Sequence, residues 1–62
     1  MKMETLYRNQ LRVVLSYTTR SFSDLGELYS EREFVKARPQ NKYTVITIEE
    51  ITERINALES KV

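Results

Sequence analysis

The chain has 62 residues, which is enough for one small domain with a narrow margin of stability. It contains no Cys and no His, so disulfide bonds and the ordinary zinc sites are excluded, and oligomerisation remains as the usual aid to a chain of this size. Hydrophobic residues make up 40% of the chain, which is typical of an ordered domain. The net charge is only +1, so there is no overall attraction for nucleic acid or for an anionic membrane.

The first predicted element is a helix over residues 3–19. Apolar residues recur there at helical spacing, at Met3, Leu6, Tyr7, Leu11, Val14 and Leu15. A strand over residues 11–19 is the alternative, because apolar and polar residues nearly alternate there. Val14 breaks the alternation, so the sequence favours the helix. The strand would instead give an α+β fold with a βαβ unit, in which residues 11–19 pair with a later strand.

A second helix is predicted over residues 22–37. Ser21 followed by Asp24 is the pattern of a capping box at a helix start. One apolar face follows, formed by Phe22, Leu25, Leu28 and Tyr29. A break and restart near Ser30 is a second possibility, because Ser30 begins another such pattern. The helix must end before Pro39, which disfavours the α conformation in the residue preceding it.

A short strand is predicted over residues 43–46, after a polar loop over residues 39–42. The four strand residues are β-branched or aromatic, which favours extended structure. A single strand has no partner within a helical chain. It would therefore pair with its counterpart in a second copy or with a strand edge of another protein.

The last predicted element is an amphipathic helix over residues 48–61. Thr47 is its expected N-cap, with Glu50 completing a capping box and Ile46 packing on Ile51. Its apolar stripe has heptad spacing and consists of Ile48, Ile51, Ile55, Leu58 and Val62. Two heptads leave open whether the stripe packs on its own chain or on a partner. The expected core is Leu6, Leu11, Val14, Phe22, Leu25, Leu28, Val45, Ile48, Ile51, Ile55 and Leu58.

Groups for catalysis are scarce in this sequence. The absence of His and Cys removes the commonest general base and the best nucleophile, and no Ser or Lys lies in a nucleophile motif. Carboxylates spaced by four residues, such as Glu27 and Glu31, are typical of a solvated helix face. We therefore expect no enzymatic activity, cofactor, metal or small-molecule substrate.

Targeting and membrane segments are also not expected. The longest strongly apolar run in the N-terminal half covers residues 13–15, far short of a signal peptide or a membrane span. The expected protein is cytoplasmic, with no membrane partner.

The basic segment 36–42 carries the strongest indication of nucleic-acid binding. Its cations lie beside amide side chains and Tyr43, which can contact phosphates and stack on a base. A solvated basic segment between two acidic ones explains the same residues. The candidate contacts with DNA are Arg12, Arg20, Lys36, Arg38 and Lys42.

The sequence thus predicts a mostly α domain of three helices with one short β-strand before the C-terminal helix. The expected function is that of a small non-enzymatic interaction or regulatory protein, which forms a homodimer or binds a protein partner. A DNA-binding transcriptional regulator is the alternative. The expected partner interface is Tyr43, Val45, Ile48, Ile51, Ile55, Leu58 and Val62.

Overall fold

The computed structural model describes residues 2–60 and contains three helices: α1 is Met3–Thr18, α2 is Leu25–Lys36 and α3 is Lys42–Glu59. A short 3₁₀ turn, Phe22–Asp24, leads into α2. The predicted mostly helical class is confirmed, and no strand occurs in the described residues. Within this range no helix combines the length and the apolar character needed to cross a bilayer.

The helix predicted at the start of the chain is confirmed as α1. The strand alternative over residues 11–19 and its βαβ unit are wrong, because residues 11–18 continue the helix. Thr19 ends α1 in an extended conformation, and its N–H donates to the Leu15 carbonyl at 2.9 Å. From α3, the Arg54 guanidinium donates to the Thr19 carbonyl, with Nε at 3.1 Å. The Leu15 carbonyl and the carbonyl of the C-cap residue Thr19 therefore have partners.

The capping box predicted before α2 is present. The Asp24 carboxylate accepts hydrogen bonds from the backbone N–H groups of Arg20 and Ser21, at 2.9 and 3.1 Å. The helix continues through Ser30, so the alternative of a break at that residue is wrong. It ends three residues before Pro39, in agreement with the restriction that proline imposes on its predecessor.

The predicted strand over residues 43–46 is wrong, because these residues form the first turns of α3. Asn41 is the N-cap: its side-chain oxygen accepts from the N–H groups of Tyr43 and Thr44 at 2.9 and 3.0 Å. In return the Thr44 hydroxyl accepts from the Asn41 N–H at 2.7 Å. This capping box starts the helix six residues before Thr47, which lies inside α3 and donates to the Tyr43 carbonyl at 2.8 Å.

Both α1 and α2 pack on α3 and have little contact with each other. Near the starts of α1 and α3, the Lys42 ammonium lies 3.3 Å from the Glu4 carboxylate, while Arg54 meets Thr19 at the other end. These pairs make α1 and α3 parallel. Because α2 returns to α3 through a short loop, α2 and α3 form an antiparallel hairpin. The arrangement leaves a groove between α1 and α2, with α3 as its floor.

The core lies mainly between α2 and α3. Its central cluster is Leu25, Leu28, Ile51, Ile55 and Leu58, with Leu15 partly buried against it, which confirms these five predicted core residues. Two others, Val35 and Ile46, are buried without having been predicted. Four predicted core residues are exposed instead, namely Leu6, Val14, Phe22 and Val45. They lie on helix sides that no other element of the described chain covers.

Candidate protein-interaction surface

The apolar stripe predicted as the partner interface on the last helix largely faces the chain's own core. Three of its residues are at most 2% exposed and belong to the central cluster: Ile51, Ile55 and Leu58. Ile48 and Tyr43 are half-buried, whereas Val45 is exposed. Val62 lies outside the described residues. A partner could reach the three buried residues only if the α2–α3 core opened.

A different stripe is exposed along α1. Positions 3, 6, 10, 13 and 17 are spaced alternately by three and four residues, which places them on one side of the helix in heptad register. We name this set the α1 face, and it consists of Met3, Leu6, Gln10, Val13 and Tyr17. Its four apolar side chains are between 40% and 69% exposed. None of the residues from Met3 to Thr18 is fully buried, so much of the apolar surface of α1 stays exposed.

The opposite side of α1 is fixed to α3 by polar and aromatic contacts. The Tyr7 hydroxyl lies 2.6 Å from that of Thr47, and because Thr47 already donates to a carbonyl, it accepts from Tyr7. The Tyr7 and Tyr43 rings meet edge to face, with centroids 5.2 Å apart. These contacts turn the α1 face away from α3 and toward solvent.

Glu50 of α3 anchors the middle of α1. Its side chain is only 2% exposed, and its carboxylate accepts from Nη1 of Arg8 and from Nε of Arg12, each at 2.7 Å. Burial by itself raises the pKa of this carboxyl, but the hydrogen bonds and the positive charges of Arg12 and Arg8 together outweigh burial and hold the pKa below its ordinary value. The carboxylate therefore stays ionised and fixes the rotation of α1 on α3.

The groove between α1 and α2 has a volume of about 290 Å³ and is continuous with the α1 face. Its apolar lining is Leu11, Val14, Leu15, Leu28 and Ile51. A shallow depression on α1, lined by Gln10, Val13 and Val14, shares Val14 with the groove. We call the α1 face and the groove together the docking surface.

Charges are distributed unevenly around the docking surface. Glu27 and Glu31 line the α2 wall of the groove. Among residues 2–60 neither carboxylate forms a salt bridge, and the same holds for Lys2. In the heptad frame the neighbours of the α1 face are Lys2, Tyr7, Asn9, Val14 and Ser16. The docking surface is therefore apolar along α1 and acidic on its α2 side, with a cation near each end of α1, namely Lys2 and the Arg20 guanidinium that lies over Tyr17.

The five cations predicted to contact nucleic acid are mostly occupied. Three pair with carboxylates of the same chain, Arg12 with Glu50, Lys36 with Glu33 and Lys42 with Glu4. The other two guanidinium groups lie over aromatic rings, Arg20 over Tyr17 and Arg38 over Phe34. Carboxylates therefore offset the charge of three of these five residues, and DNA binding stays a prediction.

The α1 face was not among the predicted interface residues, although its spacing is present in the sequence. Val13 and Tyr17 fitted the alternating pattern of the strand alternative, while Gln10 interrupts the apolar run. A search of α1 for a second heptad stripe, beside the one that contains Leu11 and Leu15, would have found it.

No protein-family model matches this chain, and no curated protein and no solved structure matches it either. Its function is therefore inferred from the geometry of its own residues. The docking surface is an apolar part of that geometry that no other element of the described chain covers.

Proposed function

We propose that this is a non-enzymatic interaction protein that binds a partner helix on its docking surface. The supporting observation is that α1 exposes a heptad-spaced apolar stripe while its other side is already fixed to α3. Stripes with this spacing are buried by packing against another helix. Four large apolar side chains on one side of one helix form a patch, whereas single exposed ones are ordinary on a protein surface.

The shape of the docking surface suits a helix. A helix with its side chains is about 10 Å across, so one lying along α1 can pack on Val13 and also reach the groove beyond Val14. Burial of an amphipathic helix in an apolar groove is a common mode of protein recognition. The groove floor, where Thr47 and Ile51 lie, is held by α3 and needs no rearrangement to receive side chains.

Site-specific photo-crosslinking in cells that produce the protein tests this proposal. A photoreactive amino acid at Val13 is expected to give a covalent adduct of discrete mass. Val45 on α3 is the matched control, because it is also a valine and its exposure, 45%, is close to the 55% of Val13. The same label at Val45 is expected to give no adduct.

The adduct must also depend on the rest of the α1 face. Leu6→Glu places a charge in the same stripe, one heptad step from Val13, and should abolish the adduct while the helical circular dichroism spectrum is retained. Absence of an adduct at Val13, or equal yields at Val13 and Val45, would contradict the proposal.

A further inference from the structure

We infer that the helix bound on the docking surface is α1 of a second copy, packed antiparallel about a two-fold axis at Gln10. This inference rests on the proposed function and names its partner. An oligomer with such an axis needs a surface that is complementary to itself.

The α1 face has this self-complementarity. Gln10 is its central residue, with Met3 and Leu6 on one side and Val13 and Tyr17 on the other. An antiparallel pair centred on Gln10 sets Met3 of one copy against Tyr17 of the other, and it sets Leu6 level with Val14 and one residue from Val13 of the other. Each contact then joins two apolar side chains of different size.

Gln10 suits the position on the axis. Its amide both donates and accepts, so the two Gln10 side chains of a symmetric pair can hydrogen-bond to each other. A single polar residue in a heptad stripe is a known means of fixing the register and the number of helices.

Charges favour the antiparallel direction. Arg20 follows the end of α1, and its guanidinium lies 5.9 Å from the centroid of the Tyr17 ring, so a parallel pair, which sets Tyr17 against Tyr17, would bring two Arg20 guanidinium groups together. An antiparallel pair separates them. It also sets the start of one α1 beside Thr18 of the other, which lines the groove together with Glu27. Lys2 of each copy then approaches the Glu27 carboxylate of its partner.

The size of the surface sets the expected affinity. The 16 residues of α1 span about 24 Å at 1.5 Å per residue, and a strip about 10 Å wide covers roughly 240 Å². A standard interface buries about 800 Å² on each partner. The α1 face alone is much smaller than this, so we propose that the dimer also covers part of the groove and that it is a weak, reversible one, with a dissociation constant in the micromolar range or higher.

Sedimentation equilibrium of the full chain, from low micromolar to millimolar concentration, tests the dimer. Wild type is expected to show a reversible monomer–dimer equilibrium. Val13→Glu should raise the dissociation constant by about 100-fold or more, because each dimer loses two buried valines. Val45→Glu should leave the dissociation constant unchanged. Both positions are exposed in the monomer, so both variants should keep the helical circular dichroism spectrum.

Disulfide trapping tests the direction of the pair, and the chain has no native cysteine to interfere. A mixture of the Met3→Cys and Tyr17→Cys variants should form a mixed disulfide dimer on mild oxidation. Each variant alone should form little dimer. Efficient dimers of each variant by itself would show a parallel pair and overturn the antiparallel arrangement.

The outcomes separate this inference from the proposed function. A monomer at every concentration, with a photo-adduct at Val13 to a different protein, overturns the second copy as partner and supports the proposed function. A monomer with no adduct overturns both. A dimer that Val45→Glu disrupts and Val13→Glu does not would place the interface on α3 and overturn the inference.

Discussion

At the scale of single residues, the burial of Glu50 depends on two arginines from another helix. An ionised carboxylate without partners is costly to bury. Here Arg8 and Arg12 supply hydrogen bonds of 2.7 Å from α1, and Arg8 also reaches Glu49 at 3.0 Å. The cluster therefore positions α1 as well as stabilising it.

Glu50→Gln should destabilise the protein at neutral pH by about 2 kcal/mol, because the hydrogen bonds to an ionised group are weakened. The pKa of Glu50 is lower in the folded chain than its ordinary value of 4.5. The stabilisation by its ionised form is therefore complete above that value and is lost as the pH falls through the lower folded pKa. Urea unfolding of wild type and variant over this acid range should show the two free energies of unfolding converging.

Glu53→Gln is the matched control for this experiment. Its carboxylate is well exposed and lies 3.9 Å from Arg12, so the substitution should change stability little at any pH. The pKa of Asp24 is also lowered, by the N–H groups of Ser21 and Arg20, but this effect is common to all three proteins and cancels in the comparison. Parallel pH profiles for wild type and Glu50→Gln would contradict the assigned role of Glu50.

At the scale of elements, α3 begins where its capping box places it. Asn41 satisfies two N–H groups that the first turn of a helix otherwise leaves without partners. The β-branched and aromatic residues that follow then continue as helix, although their local preference is for strand. Tertiary contacts of this first turn, such as the meeting of Tyr43 with Tyr7, act in the same direction.

Asn41→Ala should lower the free energy of unfolding by about 1 kcal/mol, since the cap is lost. Asn41→Asp keeps a side-chain oxygen at the same place and should retain most of the stability. Thermal unfolding followed by circular dichroism measures both. If Asn41→Ala proved neutral, the helix would begin later, at the Thr47 cap that the sequence also offers.

The start and the end of the α2 segment, and the helical state of α1, were predictable because the local sequence signals agree there. The Ser21 and Asp24 capping box and Pro39 each have one interpretation, and the helical spacing of α1 covers more positions than the alternating pattern. The start of α3 was not predictable, because Asn41 and Thr47 begin two capping patterns six residues apart. Side-chain contacts between α3 and residues of α1 about forty positions earlier help to decide which of the two patterns starts the helix.

The spacing of the α1 face is visible in the sequence, but its exposure was beyond prediction for a related reason. α1 carries two overlapping apolar stripes, and the sequence does not say which one is buried. Which stripe is buried depends on how α1 is rotated about its own axis. Glu50 of α3 fixes that rotation by binding Arg8 and Arg12. The apolar stripe of the last helix was predicted from its spacing, but as a partner interface. Its central residues Ile51 and Ile55 instead fill the core of their own chain.

At the scale of the whole molecule, the three helices contribute unequally to the core. The central cluster is formed by α2 and α3, and only Leu15 of α1 packs against it. In a chain this small, much of the surface of the unfolded state stays exposed after folding. A second copy that covers α1 would therefore stabilise the helix that contributes least to the core.

Because α1 has no fully buried residue, its release from the α2–α3 hairpin should cost less free energy than global unfolding. Amide hydrogen exchange in dilute solution is expected to show a sub-global opening, in which α1 amides lose protection before those of Ile51 and Ile55. In concentrated solution the protection of α1 should rise toward that of the hairpin. Equal protection of all three helices in dilute solution would contradict this. The helix that offers the binding surface is then also the helix whose order depends on binding, so self-association and local folding of α1 are one coupled equilibrium.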